Sequence, residues 1–570
     1  MKLFFTPLLL LLSSSIFAQD GSFSWAKAIS GSSIEACYST VTDNQNNVYV
    51  TGYFYNTADF DPSGSTFFLS SSGLSDVFIA KYNSNGDFQW AKKIGGTLSD
   101  VGYSISTDSI NGVYLCGQFN GTVDFDPSLS SYTLTSMGQE DAFVCKLDTS
   151  GVFQWAKSFG GIQEDYAISI SSKSTGEIIV TGNFMGIVDF DPSPISNTIS
   201  SVGPRDIFIS LFNTNGDLVW VKTIGGMANE DSRMVKFDKV GNVYCVGQFF
   251  GTCDFDPNLG FVNRTSLGQY DSYILKLNAN GNYVWVSTFG GKYDDAIYTL
   301  DLTSQNEVII GGHFNDTCDF DSGPLETKLI SKGNDDIFFC KLSSIGDFQW
   351  VKQIAGIAQE RVMSLTIDAS DYIISTGFFY GSVDFDPGNN SILLNSSTAG
   401  FSDVFILKLN VFGDYVWAKK FGGSKSDYSY SISLQSNSGI ITSGIFNGTV
   451  DFDPSGQTFN ISSFNSIAQD AFIHRLNNLL INIIDENELL KCNLFPNPLS
   501  TFLHIRANST FITKIEIFNT CGVLIDTPLI DKDFQGNLTL DFTKYKPDIY
   551  YVKIRFQNNH FETHKIIIED

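Results

Sequence analysis

The chain has 570 residues with 42% hydrophobic and 14% aromatic content, which is enough for several domains with apolar cores and favours strands over helices. Its formal net charge of −26 argues against nucleic acid as a partner, because a phosphate backbone needs a basic surface. The nine cysteines have the spacing of neither a zinc site nor a disulfide framework, so we expect them to be small buried apolar residues.

The first 18 residues have the pattern of a secretory signal peptide. Lys2 precedes an apolar run from Leu3 to Leu12, and Ser-Ser-Ser-Ile-Phe-Ala follows it up to Ala18. The run is too short for a membrane anchor, and no later stretch is apolar enough to span a bilayer. We therefore predict an exported chain without a transmembrane segment.

Residues 19–478 contain a repeat that is marked by tryptophan. The first five spacings between tryptophans are 65 residues and the last is 67, and a period of this size indicates a repeat architecture. All seven tryptophans of the chain occupy the same repeat position: Trp25, Trp90, Trp155, Trp220, Trp285, Trp350 and Trp417.

Each repeat has four strand-like segments. In one copy these are 153–161 with the tryptophan, an alternating strand that follows an acidic residue, a strand ending in Gly-x-Phe, and a strand that follows Asp-Phe-Asp-Pro and a turn. Four short strands per unit predict an all-β, seven-bladed β-propeller. The last copy lacks a tryptophan strand, so we expect the N-terminal strand with Trp25 to complete blade seven and close the ring.

These repeats resemble the bacterial seven-bladed β-propeller repeat family over nearly all of residues 22–477. The resemblance implies the propeller fold and says little about chemistry. Single copies depart from the pattern, with Leu211 at a position that is otherwise basic, Ser287 in place of the lysine after tryptophan, and Ser322 in place of proline.

Residues 479–492 lack the repeat pattern and are predicted to be a linker, and residues 493–570 contain the alternating strands of a small β-sandwich. This last segment resembles the type A C-terminal sorting domain of the Bacteroidetes type IX secretion system, through Pro496, Asn497, Pro498 and Gly522 and the Tyr550-Tyr551 strand. The resemblance implies export across the outer membrane with the type IX machinery as partner, and a secreted or cell-surface location. The alternative is an ordinary β-sandwich appendage.

The Asp-Phe-Asp-Pro segments are candidate calcium sites. Carboxylates two residues apart on an extended segment point the same way, and Ca²⁺ prefers oxygen ligands, which nominates Asp59, Asp61, Asp124 and Asp126. The same segment in five further copies, and the shortfall from the 6–8 oxygens that Ca²⁺ usually takes, favour a structural alternative. In that alternative one aspartate caps the turn and the other binds backbone amides. No other cofactor is predicted.

The sequence offers little for catalysis. It has no Gly-x-Ser-x-Gly, His-Glu-x-x-His or Cys/His pairing, and only His313 and His474 of its five histidines lie in the repeats. We predict that the protein is not an enzyme, with a hydrolase that uses a carboxylate pair in the channel as the alternative.

A single binding site should show as asymmetry between the copies. The residue three positions after the repeated acid is one of the most variable, and on an innermost strand Tyr38, Tyr103, Arg233, Tyr298 and Tyr430 would approach the channel, where propellers often hold ligands. Neutral drift explains the same variation. We predict a monomeric binding or structural module with an extracellular glycan or protein ligand, and a carbohydrate-binding adhesin is the leading alternative.

Overall fold

The structure is a computed structural model that describes residues 21–193, 195–323, 325–464, 468–478, 492–495, 501–507, 512–519, 523–528, 537–556 and 561–568. Those ranges contain no helix, and the chain forms two compact units, 1–478 and 479–570. The predicted signal peptide, the linker up to Lys491 and the sorting-motif residues Pro496, Asn497, Pro498 and Gly522 lie outside the described residues.

The first unit is a ring of seven antiparallel sheets, which confirms the predicted propeller. Its first strand is β1 (Ser22–Gly31). Blades 1 and 2 each follow as four consecutive strands: β2 (Glu35–Thr42), β3 (Val48–Asp59), β4 (Phe68–Tyr82) and β5 (Phe88–Ile94), then β6 (Val101–Thr107), β7 (Gly112–Asp124), β8 (Thr133–Asp148) and β9 (Phe153–Gly161).

In the later blades a short hairpin lies in the chain between the second and third main strands, and it pairs with the outermost strand of the preceding blade, as Val188 does with Gly161. Blade 3 comprises β10 (Tyr166–Ser172), β11 (Ile178–Phe184), hairpin strands β12 (Ile187–Asp189) and β13 (Thr198–Ser200), β14 (Asp206–Phe212) and β15 (Leu218–Gly226). Blade 4 comprises β16 (Glu230–Phe237), β17 (Val243–Phe249), hairpin strands β18 (Thr252–Asp254) and β19 (Asn263–Thr265), β20 (Asp271–Leu277) and β21 (Tyr283–Gly291).

Blades 5 to 7 repeat this pattern. Blade 5 comprises β22 (Ala296–Leu302), β23 (Val308–Phe314), β24 (Thr317–Asp319), β25 (Lys328–Ile330), β26 (Asp336–Leu342) and β27 (Phe348–Gly356). Blade 6 comprises β28 (Glu360–Ile367), β29 (Ile373–Tyr380), β30 (Ser382–Asp384), β31 (Leu393–Asn395), β32 (Ser402–Leu409) and β33 (Tyr415–Gly423). Blade 7 comprises β34 (Tyr428–Leu434), β35 (Gly439–Phe446), β36 (Thr449–Asp451), β37 (Asn460–Ser462) and β38 (Asp470–Asn477).

Strand β1 supplies the fourth strand of blade 7, as the sequence predicted. It pairs antiparallel with β38, from Ser22 opposite Asn477 to Ile29 opposite Ala471. Its far end pairs with β3 of blade 1, with Ser30 opposite Asp59. The chain ends of the ring are therefore joined by backbone hydrogen bonds, which leaves no open blade edge at this point.

A circle of hydrogen bonds joins the innermost strands. The Thr40 amide donates to Ser431 Oγ at 3.0 Å between blades 1 and 7, and the Ile105 amide donates to Ser39 Oγ at 3.2 Å between blades 2 and 1. In the other five blades the acceptors at the same position are Ser104, Ser169, Met234, Thr299 and Ser364. The seven contacts complete the ring.

The tryptophans pack between blades. A Cβ atom added to Gly86 would lie 2.9 Å from the Trp25 ring, so the glycine lets the turn of the next blade lie flat on the indole. The Trp25 indole N–H also donates to the Ser84 carbonyl in that turn at 3.3 Å. The same glycine contact recurs around the ring to Trp417, which meets Gly21.

The second unit is a small sandwich, as predicted. One sheet contains β39 (Cys492–Phe495), β40 (Phe502–Ala507) and β43 (Asn537–Asp541), and the other contains β41 (Ile512–Asn519), β42 (Leu524–Asp526), β44 (Ile549–Phe556) and β45 (Phe561–Ile567). Leu503 and Ile505 from the first sheet pack with Ile515 and Val552 from the second in one buried core.

Candidate functional site

Each of the seven innermost strands has a β-bulge at the same position. In blade 1, Cys37 pairs with Gly52 and Ser39 pairs with Thr51, so the residue between them is the extra one. Bulges re-aim side chains and are frequent next to functional sites. The seven bulged residues are the variable residues singled out in the sequence: Tyr38, Tyr103, Ile168, Arg233, Tyr298, Met363 and Tyr430.

The glycine of each Gly-x-Phe motif permits the bulge. A Cβ atom on Gly182 would lie 1.7 Å from the Tyr166 carbonyl oxygen, and the six equivalent glycines give 1.8 to 2.0 Å to the corresponding oxygen. No side chain fits at that distance, so the repeated glycine is a packing requirement of the bulge. The scaffold is thereby the same in all blades, while the bulged side chains differ.

The bulged residues of blades 7, 1 and 2 form a cluster of tyrosines, which we call the tyrosine half. The Tyr38 ring stacks on Tyr103 with centroids 5.9 Å apart, and it meets the edge of Tyr430 at 5.4 Å. Tyr53 lies 5.5 Å from Tyr38, and the Tyr103 hydroxyl donates to Gln118 Oε1 at 2.7 Å. Burial raises the pKa of Tyr38, Tyr103 and Tyr430, so their hydroxyls stay protonated and can donate.

The opposite part of the ring, from blades 3 to 6, carries charge, and we call it the arginine half. It contains two ion pairs, Arg205 with Asp231 at 3.1 Å and Arg361 with Asp335 at 2.6 Å. His313 Nε2 lies 4.0 Å from Asp335. Burial, helped by the charge of Arg361, lowers the pKa of His313 to about 3, so this imidazole is neutral near pH 7.

Arg233 differs from the other arginines of this half. Its guanidinium carbon lies 5.4 Å from the centroid of the Tyr298 ring, a cation–π contact. Its Nε is buried without a hydrogen-bond partner, and within the described part of the chain no carboxylate forms an ion pair with it. Asp231 and Asp335 are each already paired with another arginine. Arg233 is thus a half-buried cation with unused donors.

Beyond the bulges the innermost strands enclose a cavity of about 330 Å³. Half of its lining residues are serine or threonine, including Ser39, Ser104 and Ser169, and it holds one ion pair between Lys236 and Asp301. The channel wall is therefore partly polar and partly apolar, and the bulged residues lie where its innermost strands begin.

The repeated acid at the start of each innermost strand has a structural role. Asp100 accepts hydrogen bonds from the amides of Gly96 at 2.8 Å and Asn120 at 3.0 Å, and so joins two loops. Burial raises the pKa of Asp100 to about 7 and that of Asp427 to about 8. The channel hydrolase suggested by the sequence would need a carboxylate pair of its own. Asp231 and Asp335 are both bound by arginine, and Asp301 in the cavity is bound by Lys236.

The Asp-Phe-Asp-Pro aspartates accept backbone hydrogen bonds. Asp59 Oδ1 accepts from the amides of Asp61 at 3.1 Å and Phe67 at 2.8 Å, and Asp124 Oδ1 accepts from Asp126 and Tyr132 in the same way. Across the ranges that the structure describes, no group of three or more His, Cys, Asp or Glu residues could hold a metal ion. These contacts match the structural alternative, and the calcium site stays a prediction.

Sequence reasoning named the tyrosines and Arg233 but missed Arg205, Asp231, Asp335 and Arg361. Each of these four occurs in one copy only, so the comparison of copies that singled out Arg233 could have found them. The sequence does not show that these four residues form ion pairs across loops and blades.

Residues 493–569 match the family described as the secretion system C-terminal sorting domain. This match confirms the resemblance to a type IX sorting domain and with it the predicted secreted or cell-surface location. Among the described residues there is no helix of the length and hydropathy that a membrane crossing needs.

The repeat region is similar to two curated proteins. An uncharacterized WD repeat-containing protein of Acanthamoeba polyphaga mimivirus is 23% identical over 457 residues, which are 66% of this chain and 33% of that protein. The regulatory protein FlaEY of Caulobacter vibrioides is 25% identical over 434 residues, 70% of this chain and 42% of that protein. The chain thus spans between a third and a half of the length of these relatives.

Solved structures are similar only at low identity. A chain of the mitotic checkpoint complex aligns with 84% of this chain and 98% of its own length, at 9% identity and a TM-score of 0.39. A protein of unknown function from Bacteroides caccae aligns with 62% of this chain and 92% of its own length, at 10% identity and a TM-score of 0.30. Neither similarity bears on the function of this chain.

Proposed function

We propose that this protein is a recognition module, displayed outside the cell, that binds a carbohydrate at the mouth formed by the bulged residues. The observation that carries the proposal is the asymmetry of this ring. The scaffold places seven side chains at equivalent positions, and four of them are tyrosines and one is an arginine. Variation within such a ring is what one binding site on a symmetric scaffold requires.

The tyrosine half supplies the chemistry for a sugar. A pyranose ring has an apolar face of C–H groups that packs on an aromatic ring, and hydroxyls that need donors and acceptors at its edge. Tyr38 and Tyr103 are half-buried, and each supplies an aromatic ring and a hydroxyl; the Tyr103 hydroxyl, which donates to Gln118, can still accept a hydrogen bond. The sorting domain, which directs export, places this surface where extracellular glycans are available.

The test is a thermal-shift screen of the purified mature protein against neutral and acidic oligosaccharides. A ligand that binds only the folded state raises Tm by mass action, and at a concentration of 100 Kd we expect a rise of about 3 °C for a unit of this size. Tyr103→Ala should weaken binding of any active glycan by about tenfold or more. No shift with any glycan would contradict the proposal.

A matched control separates the site from the rest of the surface. Tyr132 is 39% exposed on the outer strand region of blade 2, where its ring packs against Phe153 at 5.1 Å. Tyr132→Ala removes the same kind of side chain away from the mouth and should leave glycan binding unchanged. Equal losses in the two variants would mean that glycans bind somewhere else.

A further inference from the structure

We infer that Arg233 binds an anionic substituent, a carboxylate or a sulfate group, of the carbohydrate, so that the ligand is an acidic glycan. This inference rests on the proposed function and adds the class of ligand. It starts from the one cation of the mouth whose charge the protein does not neutralise.

Among the charged groups around Arg233, one positive charge has no negative partner. Arg205 and Arg361 carry positive charge and are neutralised by Asp231 and Asp335, and His313 is neutral near pH 7. Of Arg205, Arg233 and Arg361, only Arg233 has no carboxylate partner among the described residues. The chain has a net charge of −26, so an unpaired arginine gives the channel mouth a local charge opposite in sign to that of the protein as a whole. Its free donors suit an oxyanion.

The guanidinium is also held in place before any ligand arrives. It lies over the Tyr298 ring at 5.4 Å, and Tyr298 is itself fixed, since Arg361 Nη1 donates to its hydroxyl at 3.3 Å and the His313 ring stacks on it at 5.5 Å. A positioned guanidinium loses little conformational entropy on binding, and its planar donors match carboxylate and sulfate oxygens.

The tyrosine half bears the opposite charge at its border, which sets the orientation of the ligand. Glu140 lies near Tyr103, and Glu164 accepts a hydrogen bond from Tyr166 in the next blade. An anionic group on that side would meet repulsion. An acidic glycan would therefore place its sugar rings on the tyrosines and its oxyanion at Arg233.

The experiment compares matched ligands on the mature protein by titration calorimetry. The probes are a galacturonate oligomer, a galactose oligomer of the same length, a galactose oligomer with 6-sulfate groups, and polyglutamate as an anion that is not a sugar. We expect at least one of the acidic oligomers to bind about tenfold or more tightly than the neutral one, and the pair of acidic probes distinguishes carboxylate from sulfate. Polyglutamate should bind no better than the neutral oligomer.

The variants assign the preference to Arg233. Arg233→Gln should bring the acidic and neutral oligomers to equal affinity, and Arg233→Lys should retain part of the preference, because it keeps the charge but loses the planar donors. Arg264→Gln makes the same charge change on the outer strand β19 and should leave the affinities for the acidic and neutral oligomers unchanged. Each variant is used only if its Tm matches the wild type, and Arg233→Met serves as a second variant if the glutamine variant does not fold.

The outcomes separate the two proposals. Equal binding of acidic and neutral oligomers, or a preference that survives Arg233→Gln, overturns the role of Arg233 and leaves carbohydrate binding standing. Tight binding of polyglutamate shows a general anion site and overturns the assignment to a glycan. Failure of every oligosaccharide to bind overturns both.

Discussion

The guanidinium of Arg233 lies over the ring of Tyr298, 5.4 Å from its centroid, although these residues belong to different blades. Both occupy the bulge of an innermost strand, where the scaffold repeats and the side chains do not. The contact joins an arginine that occurs at the bulge in one copy to a tyrosine that occurs there in four, and it illustrates how one site arises on a seven-fold scaffold.

Arg233 and Arg361 should differ in their contribution to stability. Arg361→Met leaves Asp335 without its arginine, so we expect the free energy of unfolding to fall by about 1–3 kcal/mol. Arg233→Met breaks no ion pair and removes a buried unpartnered Nε but loses the cation–π contact with Tyr298, so the change should stay within about 1 kcal/mol. Chemical denaturation of both variants checks this, and a larger loss for Arg233→Met would show that it has an unrecognised structural partner.

The bulge glycines should tolerate no side chain. Gly182→Ala places a Cβ atom 1.7 Å from the Tyr166 carbonyl oxygen, and relieving that clash requires the innermost strand to move. We expect a loss of about 3 kcal/mol or more in the free energy of unfolding. Gly64→Ala is the control, because nothing lies within 4 Å of its Cβ, and it should be nearly neutral. Similar stability of the two variants would mean that the bulge geometry is wrong.

Stability should fall as the solution becomes alkaline. Burial raises the pKa of Asp295 and Asp427 to about 8, and that of Glu35, where the charge of Asp470 adds to burial, to about 9. Because these pKa values are higher in the folded state than in the unfolded one, the folded state binds the protons more tightly. The stabilisation is complete below the unfolded pKa and is lost as pH rises through the folded pKa.

We therefore expect Tm to decrease from about pH 5 to about pH 9, with the steepest change between about pH 5 and pH 7, where these acids are protonated in the folded state and ionised in the unfolded one. Asp295→Asn removes one titrating group and should reduce this dependence, even if the lost acceptor lowers Tm overall. Differential scanning calorimetry across the range gives the slope. A Tm that rises with pH would show that these acids are ionised and stabilising in the folded protein.

Replacement of Asp124 tests the two interpretations of Asp-Phe-Asp-Pro. Asn retains the oxygen that accepts from the Asp126 and Tyr132 amides, so Asp124→Asn should cost little, whereas Asp124→Ala should cost about 1 kcal/mol or more. Excess Ca²⁺ should leave the wild-type Tm unchanged. A calcium-dependent rise in Tm that disappears in Asp124→Asn would establish the calcium site instead.

Most of the propeller could be predicted because its determinants are local and repeated. Trp25 at the start and the missing tryptophan strand at the end predicted that β1 would pair with β38. The bulge at Tyr38 could not be predicted, because it depends on the register between two strands. The glycine opposite it was visible in every copy, but the sequence does not say which residue it faces.

The site was predictable in part for a related reason. Residues that all copies share form the scaffold, so residues that differ between copies are candidates for a site. This comparison identified Tyr103 and Arg233. The ion pairs of Arg205 and Arg361 depend on loops and strands of neighbouring blades, and only the folded ring brings these side chains to Asp231 and Asp335. The unpaired state of Arg233 follows from those pairings and is a property of the structure.

The location of the site can be measured directly by hydrogen–deuterium exchange with a glycan found in the thermal-shift screen. If the glycan binds at the channel mouth, exchange should be slower in peptides that contain Tyr38, Tyr103 and Arg233, and unchanged in the outer hairpins such as 252–265. Protection confined to the outer hairpins, with the innermost strands unchanged, would contradict the assignment of the channel mouth as the binding site.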